Sequence, residues 1–174
     1  MHRTRTILSS LVVVASALGA MGCSSSSTPS PSSAPVSFAT DVMPIFQSGC
    51  TLSSECHGQM NNAAEENLYL GDNMNNTPAI IAQVYMGLVG VVSVEDPSMP
   101  LVTAGSPSTS FLSHKVVGDQ STLNSDCAKA ATLCSMGCTM QMPCGTSMPY
   151  NGEPLQPTQI DTLNNWITQG AQNN

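Results

Sequence analysis

Apolar residues fall along this chain in one early block and then in four short periodic runs, separated by polar loops rich in Asn and Gly. The block, Ile7 to Ala20, follows Arg3 and Arg5 and leads into small residues, the layout of a secretory signal; it is too short for a comfortable membrane span. Of the periodic runs, Phe38 to Gly49 sets Phe38, Val42, Ile45 and Phe46 on one helical face. Thr40 or Asp41 is its expected cap, and Pro44 is tolerable in a first turn. Thr77-Pro78 joins a cap to proline at the first helical position, ahead of Ile81, Val84 and Leu88. Ser106-Pro107 repeats that signal before Phe111, Leu112 and Val116. Thr158, with Asp161 three residues on, resembles a capping box opening a stripe of Ile160, Leu163, Trp166 and Ile167 that ends at Gly170. No run alternates convincingly as a strand, and there is no internal repeat. The expected class is mainly α, with long loops.

The same pattern divides the chain. Residues 1–22 are expected to be a signal peptide. Leu18 to Cys23 resembles the lipobox of bacterial lipoproteins, which implies acylation of Cys23 and a mature chain that begins there. Residues 23–37 then form a Ser/Pro-rich tether with almost nothing to bury. Residues 38–171 are expected to form one domain, interrupted at 119–146 by a cysteine-rich insertion. Charge narrows the partners. The mature chain sets Lys115 and Lys129 against eleven carboxylates, a formal −9. So acidic a surface with no basic stripe is not a nucleic-acid binder. Anionic head groups would repel it, leaving acyl chains on Cys23 as its hold on a membrane. Ser24 stands where inner-membrane lipoproteins carry aspartate, which by resemblance implies the periplasmic face of the outer membrane.

Chemistry concentrates where the first run ends. Phe38-Ala39-Thr40-Asp41-Val42-Met43-Pro44-Ile45-Phe46 leads to Cys50 and then to Cys56-His57-Gly58. Two thiols followed by histidine are the means of covalent haem attachment, although the spacing here is C-x5-C-H rather than C-x-x-C-H. This stretch resembles the opening of the small c-type cytochrome domains of bacterial envelope proteins. Leu68-Tyr69-Leu70-Gly71 is similar to a short element of that family. So are Leu101 to Pro107 with Ser110-Phe111-Leu112, and Met148-Pro149 with Leu155, Ile160, Trp166-Ile167 and Gly170-Ala171, in the family's order. The resemblance implies a cytochrome c-like helical domain. It also implies that Cys50 and Cys56 hold haem c, that His57 and Met148 ligate its iron, and that electrons pass to envelope redox proteins. The extra residues between Cys50 and Cys56 must then bulge outward.

Other readings of the same residues stand beside this one. Cys50 and Cys56 can close a small disulfide loop, giving a haem-free, disulfide-stapled structural or binding lipoprotein. Met99-Pro100 and Met142-Pro143 rival Met148-Pro149, and His114 is expected on a solvated face. Cys127, Cys134, Cys138 and Cys144 are expected to form two disulfides, with three pairings open. Their spacing lacks the close pairs of zinc sites. Copper(I) is the soft-metal alternative, because Met136, Met140, Met142 and Met148 interleave with these thiols. No hydrolase or phosphate-binding signature appears, so the expectation is an electron carrier rather than a catalyst.

Overall fold

A computed structural model describes residues 34–53, 56–60, 68–130, 138–150 and 152–174. The signal peptide, Cys23 and Cys134 lie outside the described residues. The chain divides into Met1–Ser32 and Ser33–Asn174, and the described residues all belong to the second unit.

That unit is mainly α, with no strand among the described residues, only isolated bridges. Its first helix opens with a wide π turn, Phe38–Val42, and continues as α1, Met43–Gly49. In the wide turn the Met43 N–H donates to the Phe38 carbonyl five residues back, and Pro44 falls in the first turn of α1, where its missing N–H is tolerated. The cap is Ser37, whose Oγ accepts from the Thr40 N–H, while Asp41 Oδ2 accepts from the Ser37 N–H. Neither Thr40 nor Asp41 is the cap, because the helix begins earlier than the sequence suggests. α2, Pro78–Leu88, starts as expected, with Thr77 Oγ1 accepting from the Ile80 N–H. Val84 and Leu88 are fully buried on its inner face.

At Ser106-Pro107 the start signal produces only a 3₁₀ turn, Pro107–Thr109. The Ser110 hydroxyl donates to the Ser106 carbonyl and accepts the Thr103 N–H. α3, Phe111–Val117, therefore starts after Ser110 and ends at Gly118, whose φ of 88° is a left-handed stop. Beyond Gly118 a 3₁₀ turn, Gln120–Leu123, runs into the short α4, Asn124–Cys127. α5, Pro157–Thr168, is capped not by Thr158 but by Gln156, reciprocally with Gln159. Proline at the first helical position puts the cap one residue before it.

The core joins the two ends of the domain. Phe38 stacks on Trp166 with ring centroids 5.0 Å apart, and meets Tyr85 and Phe46 edge-on. Residues expected in the tether also belong here. Val36 N–H donates to Gln169 Oε1, Gln169 Nε2 to the Ala34 carbonyl, and Ser37 Oγ to the Asn174 carbonyl. These bonds tie the segment before the first helix to the one after α5. A second small cluster packs Phe111 of α3 with the Cys127–Cys144 disulfide.

Candidate functional site

α1 ends where the chemistry begins. The His57 N–H donates to the Cys50 carbonyl at 2.9 Å and the Cys56 N–H to the Ser53 carbonyl at 3.1 Å. The segment between the cysteines is thereby closed at its base, and Leu52 and Ser53 are exposed. Gly58 is required at the close: a Cβ there would lie 2.8 Å from the Thr51 carbonyl oxygen. The His57 carbonyl then accepts the Leu70 N–H, which binds Leu68 to Gly71 against the loop. Gly71 has a φ of 110°, and a side chain there would strike Asn76 Oδ1 at 2.6 Å.

Cys50, Cys56, His57 and Met148 all line one cavity of ≈ 260 Å³. Its walls draw on several of the segments singled out above. Leu68 and Leu70 form one part, Leu101, Phe111 and Leu112 another, and Met148-Pro149 a third. The loop leaving α2 supplies Val91 to Glu95, a wall the sequence reading missed. Apolar side chains ring the mouth, with Leu52, Val92, Val94 and Tyr150 all exposed.

Local bonds set the state of each group. His57 Nδ1 lies 3.0 Å from the Leu68 carbonyl oxygen. A carbonyl only accepts, so Nδ1 carries the proton and Nε2 is the nitrogen with a lone pair to offer. Burial is the main cause holding the imidazole below its ordinary value of 6.5, so it is neutral near pH 7. Cys50 and Cys56 are thiols rather than a disulfide. Burial first, and the neighbouring Cys56 second, push Cys50 up to about 12, so it stays protonated near neutrality.

A buried ion pair completes the wall. Lys115 Nζ lies 2.9 Å from Glu95 Oε2, and the lysine is 6 % exposed. The signal for it was legible after the fact: Lys115 shares an apolar helical face with Phe111, Leu112 and Val116.

The rival residues lie elsewhere. Met99 is half-buried in the insertion cluster, and Met142 is 44 % exposed. His114, expected to be solvated, is half-buried. Its Nδ1 lies 2.8 Å from Asp119 Oδ1 and its Nε2 3.1 Å from the Ser108 carbonyl, and it does not line the cavity. Of the three pairings open to the insertion, Cys127 takes Cys144. Cys138 is also disulfide-bonded, to a partner outside the described residues.

No known family model, curated protein or solved structure matches this chain. What the cavity can do follows from its lining. Among the described residues no three His, Cys, Asp or Glu side chains are grouped to hold a bare cation. A neutral imidazole and a thioether facing one apolar space suit an iron whose equatorial positions a porphyrin supplies. Two thiols at the same wall suit its covalent attachment, so the donor set fits haem c. No helix among the described residues is long and apolar enough to cross a membrane.

The depressed His57 predicts a pH dependence in protein produced without haem attachment. The unfolded imidazole takes a proton as pH falls through 6.5, whereas the folded one resists it. Stability is therefore expected to fall with pH below that point, down to the folded value. His57→Gln should flatten this part of the profile in urea titrations at stepped pH. An unchanged slope would show that other groups carry it.

Proposed function

We propose that this chain is a lipid-anchored, single-haem c-type cytochrome that passes single electrons between envelope redox proteins. Cys50 and Cys56 would hold the haem through thioethers, and His57 Nε2 and Met148 Sδ would ligate its iron. The observation that carries the reading is the shared cavity: four chain segments that resemble the family's motifs in order meet around one apolar space, with His57 and Met148 both on its wall. Haem supplies a one-electron couple, and His/Met ligation places such a couple at the higher end of the potential range. The chain's own part is to exclude water with Leu70, Leu88 and Leu112, and to orient His57 through Leu68. Attachment through Cys23 to the outer membrane would keep the domain in the periplasm.

The unusual spacing favours a second reading, a haem-free binding domain of the same fold. The closed base between Cys50 and His57 supports the first instead, because it keeps the histidine bonded to Cys50 despite the longer spacing. A copper role finds less support. Cys127, Cys138 and Cys144 are in disulfides and offer no thiolate to copper(I).

Expression in a periplasm that contains haem-attachment machinery separates the readings. The expected product shows a Soret band and a haem-sized increment in intact mass, both lost when Cys50 and Cys56 are changed to Ala. Met148→Ala should abolish the near-infrared sulfur-to-iron band while leaving the mass increment. A folded wild-type protein with neither Soret band nor added mass would overturn the cytochrome.

A further inference from the structure

Lys115 joins three segments that the sequence leaves far apart. It lies on α3 among apolar neighbours, and a lysine is almost never buried this far unless paired. Its Nζ donates to Glu95 Oε2 and to the Cys144 carbonyl, each at 2.9 Å, and lies 5.6 Å from the centre of the Phe111 ring. Its own carbonyl accepts the Met148 N–H at 2.8 Å. One residue therefore touches the wall loop at Glu95, the disulfide-bonded insertion at Cys144, and the backbone of Met148.

The stretch from Cys144 to Met148 needs such a hold. Gly145, Thr146 and Ser147 between them belong to no helix or bridge. Both ends are tied to Lys115, one through the side chain and one through the main chain. A charge-assisted bond at the Cys144 end resists displacement more than a neutral one would. The arrangement also gives the insertion a purpose at the cavity, since its disulfide fixes the carbonyl that the ammonium grips.

We propose that Lys115 is the positioning residue for Met148: by gripping Glu95 and Cys144 together, it delivers the methionine to the cavity wall. This rests on the haem reading, in which Met148 is a ligand. Replacing the side chain leaves the main-chain bond to Met148 in place, so ligation should weaken rather than vanish.

The test is displacement of the methionine by added imidazole in the haem-loaded protein, followed by loss of the near-infrared band. Lys115→Met should need roughly tenfold less imidazole than wild type, the scale of one charged hydrogen bond. Val84→Ala, a core change outside the cavity lining, controls for general destabilisation and should behave as wild type. Displacement of Lys115→Met at the wild-type concentration would overturn the proposal, as would equal easing by Val84→Ala. Should Lys115→Met not fold, Glu95→Ala removes one anchor of Nζ and must likewise ease displacement; no easing overturns the proposal. Intact mass keeps the two readings apart. If no haem is attached, the cytochrome reading fails, and hydrogen exchange at the Met148 amide tests the grip alone. Exchange about tenfold faster in Lys115→Met supports it, and equal exchange rates refute it.

Discussion

Trp166→Ala is expected to remove roughly 3–5 kcal/mol of stability, enough to unfold much of a domain whose total is about 5–15 kcal/mol. Trp166 is fully buried and stacks on Phe38 at 5.0 Å, which holds α5 against the opening of the first helix. Its Nε1 also donates to the Gln172 carbonyl at 2.9 Å, fixing the chain just after the helix ends. Truncation therefore opens a cavity between the first helix and α5 and leaves a carbonyl without its donor. Because this is the only tryptophan, unfolding must be followed by circular dichroism in urea rather than by fluorescence. The midpoint should drop with little change in slope. Trp166→Phe separates the two contributions: it keeps an aromatic stack and loses the bond, so about 1 kcal/mol should be lost. A loss of about 1 kcal/mol or less in the alanine variant would mean that the stack is not the keystone of the core.

Much of this architecture was legible in the sequence. The apolar faces of α2 and α5 were readable from their 3.6-residue period, and for α2 the Thr77-Pro78 start pointed the same way. The caps were less so. Ser37 reads as the last serine of a polar tract, yet it caps the first helix, and residues 34–37 bind the end of the chain. Composition describes what a segment can bury, not whether a distant partner such as Gln169 will meet its backbone. Ser106-Pro107 failed as a helix start for a local reason, the competing bonds of the Ser110 hydroxyl. At the site, the chemically distinctive residues could be read from their spacing, but their convergence could not. Glu95 and Lys115 are twenty residues apart and share no periodic signature. The one visible hint was a lysine on an apolar helical face.

Removing the Cys127–Cys144 disulfide is expected to cost about 3 kcal/mol, the loop-closure value for a bridge of this span. The loss should be concentrated around Gln120 to Lys129 and Thr139 to Gly145. Both sulfurs are fully buried, but they pack with Phe111, Met99, Leu101 and Leu123 rather than with the Phe38–Trp166 core. That small cluster has too little apolar area to hold the segment from Asp119 to Thr146 alone, so the bridge substitutes for a core. In a Cys127→Ala/Cys144→Ala protein, hydrogen exchange should quicken around Gln120 to Lys129 and Thr139 to Gly145, while protection in α5 survives native conditions. Equal loss of protection in α5 would mean that insertion and core unfold as one unit. The bridge also fixes the carbonyl that Lys115 grips, so the double variant should ease displacement of Met148 by imidazole in the same direction as Lys115→Met. Combining the two changes then decides whether they act through one path. If the disulfide serves Met148 only by presenting Cys144 to Lys115, the effects on displacement should fall short of additive. Full additivity would separate the two roles, leaving the disulfide to hold the insertion and Lys115 to hold the methionine independently.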